Sequence, residues 1–516
     1  MGVFSKKKEV AHDNGESQAP RKGRKLGAIG TIFASGSAMF ADGYSNAAMS
    51  PVLTILSRED MYGPWLVGGE RNKSLLAAMV FAGMVTGQLS FGWVSDKIGR
   101  KFAMFLCTAI IFVFSILAAC SAGPTPQVLI NCLIAFRFFL GIGLGGEYPS
   151  GSVAAAEATE HNEVGKKKQQ RLFIWATNSQ LDLAFTVAWL VALALYKIFG
   201  DNHLRAVWRG TLLLGAIPPL LLLIARMFME EPDAYKKNSM RHTRIPYWLI
   251  IKRYWLKLAA VSIVWFIYNW VTYPFGIYSG TIVEKAVGKN PSLYQTLAWG
   301  ALVNSFYVPG TIVGSFISDF IGPKYTMIFG LLMQAVFGFA MSGAYNRLVP
   351  ENGQGGSIAG FAVMYGIFLA FGEVGPGNNL GLLASKSVGP TAARGQLYGI
   401  AAAIGKVGAF IGTYTFPYIQ KRFDTKGYFV QNTGLFWVGS ALAVFSATIT
   451  FFGVHNIKPD HMIEEDAAFR EYLAANGFDV SQMGEPGHRE GDVADDVVSS
   501  GAVPRDADVY EHDEKK

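Results

Sequence analysis

Arg137-Phe-Phe-Leu-Gly141-Ile-Gly143-Leu-Gly145-Gly146-Glu147-Tyr148-Pro149-Ser150-Gly151 is the stretch on which the reading of this chain turns. It belongs to an apolar helix long enough to cross a bilayer, yet it carries an arginine, a carboxylate, a tyrosine and five glycines. At 100° per residue, Arg137, Gly141, Tyr148 and Gly151 share one stripe, and Glu147 lies about 80° round from Arg137. Charged groups in hydrocarbon are costly, so these face a partner or a wet cavity rather than lipid. The glycines admit a neighbouring helix at close range. A helix built this way lines a path through a membrane.

The rest of the chain agrees. Of 516 residues, 51% are hydrophobic and only 16% charged, and the mean hydropathy is +0.27. Apolar runs of about 20 residues, the length that spans a bilayer core, recur from Leu26 to about Val454. Twelve are drawn: 27–51, 73–94, 102–122, 127–150, 172–197, 208–229, 257–282, 293–320, 324–344, 357–384, 394–420 and 428–454. The polar N-terminus has no cleavable-signal pattern, so the first span is expected to remain as an anchor. Cys107, Cys120 and Cys132 all fall within spans and read as small apolar fillers, with no disulfide framework, metal site or cofactor.

Charge gives the orientation. Residues 1–25 hold seven Lys/Arg, and the loops after spans two and four hold Lys97, Arg100, Lys101 and then Lys166, Lys167, Lys168, Arg171. The loop between spans three and four has no basic residue. The positive-inside rule places the arm, those loops and both termini in the cytoplasm. From His455 onward there are 16 Asp/Glu and 6 Lys/Arg, so the tail is near −10 and the remainder near +17. Basic loops on such a chain report topology and anionic lipid, not nucleic acid. The expected organisation is a disordered basic arm at 1–26, a six-helix half at 27–229, a cytoplasmic linker at 230–256, a second half at 257–454 and an acidic cytoplasmic tail at 455–516. A short helix around Asp466–Asn476 is expected in the tail.

An internal repeat supports the two halves. Gly92-Trp-Val-Ser-Asp96-Lys-Ile-Gly99-Arg100-Lys101 follows span two, and Gly314-Ser-Phe-Ile-Ser-Asp319-Phe-Ile-Gly322-Pro323-Lys324 follows span eight. A tight glycine turn with an acid and bases suits a lock between adjacent helices, so Asp96, Gly99, Arg100 and Asp319 are assigned to gating. The doubled motif resembles the signature of the major facilitator superfamily. That resemblance implies an all-α membrane protein of twelve helices in two six-helix halves around a midplane site, with rocking halves alternating access. Pro323 replaces the arginine in the second copy, so its lock is expected to be weaker.

Ionisable residues inside spans form the shortlist: Asp42, Arg137, Glu147, Asp182, Glu373 and Lys406. Asp42 lies on one helix face with Ser35 and Asn46, and reads as a proton carrier or a structural carboxylate. Glu147 has the same two readings, and Arg137 reads as a structural counter-charge. Asp182, one turn after Asn178, is left open between function and packing. Trp265, Asn269 and Tyr273 recur at i, i+4 and i+8 before Pro274, which is expected to break the helix. Their indole, amide and phenol form a donor array for an oxyanion, or serve as helix-packing glue. Gly372-Glu373-Val-Gly-Pro376-Gly-Asn378-Asn379 is expected to unwind beside a cavity. Lys406, mid-span, is the candidate fixed positive charge for an anion.

Gly-Gly-Glu147-Tyr148-Pro149, the Trp265-to-Tyr273 stripe and Gly-Lys406-Val-Gly resemble the fungal phosphate:proton symporter branch. Asp42-Gly-Tyr44-x-Asn46, Trp265-Phe-x-Tyr268 and Gly-Pro376-Gly look most like its glycerophosphoinositol and glycerophosphocholine permeases. The similarity runs from about residue 27 to about Gly477. It implies proton-driven uptake at the plasma membrane, with Asp42 and Glu147 as coupling carboxylates. It further implies that Tyr148, Asn178, Trp265, Asn269, Tyr273 and Lys406 surround the substrate, joined by Glu373 and Asn378. Asn269 stands where the family usually has an aspartate, and Glu373 where it has an amide. The expected protein is a transporter and not an enzyme, a proton-coupled importer of a small anionic phosphodiester. Transport of inorganic phosphate or another organic anion, inward or outward, and a non-transporting nutrient receptor remain the alternatives.

Overall fold

The computed structural model describes residues 28–484 apart from 59–60, 67–69, 161–164, 242, 289–290, 350–355, 425, 459 and 482. The basic arm and the tail beyond 484 lie outside the described residues, which contain helices and no strand. Among the described residues, ten helical rods are long and apolar enough to cross a membrane: α2 (Arg71–Lys97), α3 (Arg100–Ala119), α4 (Pro126–Thr159), α5 (Lys166–Phe199), α6 (Asp201–Met227), α8 (Leu293–Ile321), α9 (Pro323–Leu348), α10 (Ile358–Ser387), α11 (Thr391–Phe423) and α12 (Tyr428–Gly453). The first and seventh crossings complete twelve. The first, α1, runs as three successive pieces, Ala28–Gly36, Met39–Ala47 and Met49–Leu56. The seventh, α7, is Tyr247–Ile277 continued by Ser279–Val287.

Small residues set how closely these rods approach. Gly83 and Gly87 of α2 and Gly141 and Gly145 of α4 each lie so near the facing backbone that a methyl group would overlap a carbonyl oxygen, of Phe138, Ile142, Val80 and Met84 respectively. In a bilayer, where lipid tails are as apolar as leucine, such close packing rather than hydrophobic burial holds helices together. Large apolar side chains point outward on many rods, for example Trp93, Phe105, Leu190, Leu221, Phe316 and Phe445, as a lipid-facing surface requires.

Two expectations about local structure are corrected. Pro274 lies inside α7, which continues to Ile277 and begins at Tyr247, ten residues before the expected span. A proline removes one backbone donor, and a helix packed on its neighbours absorbs that loss. The glycine–proline segment of α10 does not unwind; it widens into a π-helical turn at Glu373–Gly377. The same device occurs in α4 at Tyr148–Ser152, around Pro149. Gly146-Glu147…Gly151 and Gly372-Glu373…Gly377 thus match in sequence spacing and in backbone form, one copy in each half.

Beyond α12, a further helix α13 (His461–Ala475) starts five residues before the expected Asp466. It is docked rather than free, burying Met462, Phe469 and Leu473.

Candidate substrate cavity and inter-half locks

The face carrying the basic loops is locked by the repeated motif. Gly99 and Gly322 hold φ of 142° and 88°, a region that only glycine enters without strain, so each chain reverses sharply into the next helix. Asp96 accepts from the backbone N–H groups of Gly395 (3.0 Å) and Gln396 (2.8 Å) at the start of α11. It thereby caps a helix of the other half, where a carboxylate meets the positive end of the helix dipole. Arg100 pairs with Asp96 and with Glu157 (3.1 Å); Glu157 also meets Arg394 (3.4 Å). In the second copy, Asp319 accepts from the backbone N–H of Arg171 (3.1 Å) near the start of α5 and lies 3.5 Å from its guanidinium. The first lock is wholly buried and two arginines strong, while the second is partly exposed with one. Pro323 supplies no guanidinium, which accounts for the difference.

The docked helix α13 adds to the first lock. Asp466 accepts from the backbone (2.7 Å) and hydroxyl (2.5 Å) of Thr391 and pairs with Arg394 at 3.5 Å. Glu160 of the first half receives Lys386 (3.1 Å) of the second and the N–H groups of Met462 (3.1 Å) and Ile463 (3.2 Å). On the opposite side of the molecule the halves also touch, through Ser50 and Ser279 (3.2 Å) and through Thr186 donating to the Asn304 carbonyl (3.2 Å).

Between these closures lies a cavity lined by both halves. Its interior offers about 70 Å³ to the centres of water molecules, room for a few waters. Its walls include Tyr148, Asn178, Trp265, Asn269, Tyr273, Glu373 and Asn378. Sequence reasoning passed over Tyr307 and Tyr398, which also line it. Asn269 is buried with its Nδ2 unpaired among the described residues, as is the Tyr307 hydroxyl. Tyr148, Trp265 and Tyr398 pack as an aromatic corner with ring centroids 5.7 to 6.5 Å apart.

Lys406 and Asp42 sit behind this wall. The Lys406 ammonium is bonded to the Tyr273 hydroxyl and lies 3.9 Å from Asp42 Oδ2. It also stands 4.9 Å from the centre of the Tyr148 ring. Asp42 accepts from Tyr148 (2.6 Å) and Asn46 (2.6 Å). One buried ammonium and one buried carboxylate, from opposite halves, are therefore joined through two tyrosines that line the cavity.

Glu147 belongs to a different cluster. Its oxygens take two charge-assisted bonds from Arg226, at 2.5 and 2.8 Å, and one from Thr108 at 2.9 Å. Arg137 is not its partner: that guanidinium donates to the carbonyls of Leu76 (3.0 Å) and Ser45 (3.3 Å) and so ties α4 to α2 and α1. Arg226 falls inside the drawn span 208–229 but is missing from the shortlist of intramembrane ionisable residues. The intramembrane rule that picked Arg137 applies equally to it, and only the packing of α6 on α3 and α4 shows the pair. Glu373 does not stand beside Lys406; it accepts from Tyr268 (2.9 Å) and Asn178 (3.0 Å).

Twelve membrane-crossing helices in two halves, joined by a repeated motif and enclosing a cavity with convergent polar groups, define a membrane transporter rather than an enzyme. The Major Facilitator Superfamily profile matches residues 31–413, and the chain belongs to that superfamily. It is 42% identical over 462 residues to a glycerophosphocholine permease of Candida albicans, covering 88% of this chain and 84% of the relative. It is 40% identical over 468 residues to the major glycerophosphoinositol permease of the same organism, covering 90% and 85%. Among solved structures it is similar to the proton:xylose symporter XylE bound to 6-bromo-6-deoxy-D-glucose. There the TM-score is 0.68 and the identity 17%, with 86% of this chain and 98% of the other covered.

Proposed function

We propose that this protein imports glycerophosphodiesters across the plasma membrane by proton-coupled alternating access, with both termini in the cytoplasm. The observation that carries the reading is the Asp42–Tyr148–cavity–Tyr273–Lys406 array. The permease names of the relatives supply the substrate class. With Asp42 ionised, its charge offsets that of Lys406 and an entering phosphodiester gains little. With Asp42 protonated, the ammonium and the two phenols are free for the substrate's single negative charge. Proton and anion therefore enter as a neutral pair, and neither alone loads the site well. The cavity closed on both sides is the intermediate through which the halves pass as one set of locks opens and the other holds. On this orientation the Asp96, Arg100 and Asp319 locks are the cytoplasmic gate.

The test is uptake in cells lacking their own permeases. Labelled glycerophosphocholine, glycerophosphoinositol and phosphate are offered in competition while external pH is followed. Concentrative uptake of a phosphodiester with alkalinisation of the medium is expected. Preference for phosphate, or uptake without proton movement, overturns the assignment.

A further inference from the structure

The array just described leaves two buried carboxyl groups without a role. Asp182 of α5, in the first half, and Glu373 of α10, in the second, are 0% and 5% exposed. The Asn178 amide nitrogen stands 3.1 Å from Asp182 Oδ2 and 3.0 Å from Glu373 Oε2, which sets the two carboxyl groups side by side on one donor. Among the described residues neither has a lysine, arginine or histidine within ion-pair distance.

Counting donors exposes a deficit. The two N–H bonds of the Asn178 amide face Asp182 Oδ2 (3.1 Å), Glu373 Oε2 (3.0 Å), Asn378 Oδ1 (3.0 Å) and Thr311 Oγ1 (3.5 Å). The Thr311 hydroxyl donates to Asp182 Oδ2 and the Tyr268 hydroxyl to Glu373 Oε1. Asp182 Oδ1 receives nothing and is buried. Two adjacent carboxylates cannot both stay ionised in such a place. One proton between the two carboxyls lets one oxygen become a donor and removes the repulsion.

The internal repeat makes the same point. Glu147, the counterpart of Glu373, has its charge cancelled by Arg226. Glu373 meets a second carboxyl where Glu147 meets a guanidinium, so a proton must do what the arginine does in the first half. The other titratable groups facing the pair are the phenols of Tyr268, Tyr307 and, more distantly, Tyr273. Asp42, on the α1 segment that packs on α5, is directed to Lys406, Tyr148 and Asn46 instead.

We propose that Asp182 and Glu373 form a proton-binding pair shared by the two halves, distinct from Asp42 and Glu147, which holds one proton while the halves are closed together and yields it when they part. Separation parts the two carboxyl groups and admits water to each, and the reason for sharing a proton disappears. The pair thus ties proton occupancy to the position of the halves, whichever anion is carried.

Infrared spectra of the purified full-length protein, without substrate, read this directly. A carbonyl stretch of a protonated carboxylic acid, shifted in deuterium oxide, is expected at neutral pH. It is expected to disappear or shift in both Asp182→Asn and Glu373→Gln and to persist in Asp42→Asn. Its absence from the wild type, or its survival unchanged in both amide variants, overturns the proposal. Because an amide replaces a neutral acid without changing charge or shape, at least one of the two variants keeps its fold and abundance; collapse of both also overturns it. In proteoliposomes, Glu373→Gln is expected to lower the proton-to-substrate ratio by one, from the reversal potential of glycerophosphocholine flux, with uptake still driven through Asp42. An unchanged ratio refutes release during transport. If glycerophosphocholine is not carried at all, the substrate assignment fails and the infrared result still stands or falls alone.

Discussion

Replacing Asp42 by asparagine keeps the shape of the first-span site and removes its charge. The carboxylate lies 3.9 Å from the Lys406 ammonium. At that separation two unit charges interact by about 4 kcal/mol when the effective dielectric is about 20. The polarised hydroxyl of Tyr148 and the amide of Asn46 already take up part of that field, so roughly half of it is available to an incoming anion. Every 1.4 kcal/mol is about tenfold in affinity, so Asp42→Asn is expected to bind glycerophosphocholine at least about tenfold more tightly at neutral pH. The pH dependence of binding is expected to flatten, and accumulation against a gradient to vanish while exchange across the membrane survives. Equilibrium binding to purified protein between acid and neutral pH, alongside counterflow in proteoliposomes, measures all three. Adding Lys406→Ala to the same chain is expected to cancel the gain. Concentrative, pH-driven uptake by Asp42→Asn, or an affinity unmoved at neutral pH, would refute the competition between carboxylate and anion for Lys406.

The remaining predictions concern the packing that holds this site. Arg226→Gln leaves the Glu147 carboxylate buried and unpaired, a loss on the order of 3–5 kcal/mol, and surface abundance is expected to fall sharply; adding Glu147→Gln is expected to restore much of it, as read by detergent-solubilised thermal stability. Gly141→Val puts side-chain atoms where the Val80 carbonyl oxygen stands, so folded protein is expected to be lost, whereas Gly343→Ala, with open space around it, is expected to be silent. Asp96→Asn removes the charged cap on α11 and the partner of Arg100, so the halves are expected to open towards the basic-loop face, measured as raised reactivity of a cysteine placed in the cavity. Truncation after residue 484 leaves α13 and its bonds to Thr391, Arg394 and Glu160 in place, and intrinsic turnover in vesicles is expected to be unchanged; Asp466→Asn, which weakens that docking, is expected to lower it.

Twelve apolar runs, a basic-loop asymmetry and the twice-occurring glycine–aspartate turn were enough to specify the superfamily fold, because bilayer thickness fixes helix length and a repeated lock implies repeated halves. Part of the cavity lining was legible too, Tyr148, Asn269 and Tyr273 among it, since charged or donor-rich positions inside an apolar run can face only a partner or a cavity; Tyr307 and Tyr398 were not. Partner identity was not. Periodicity puts Glu147 about 80° round and about 15 Å along α4 from Arg137 and names a partner for neither; the carboxylate turns to Arg226, 79 residues away, and the arginine to backbone carbonyls. Likewise nothing in the local sequence joins Lys406 to Asp42, or Glu373 to Asp182. Each of those pairs joins helices of opposite halves, and which side chains meet there is decided by how the glycine-lined surfaces of twelve rods pack, a property of the assembled bundle that no single run of residues contains.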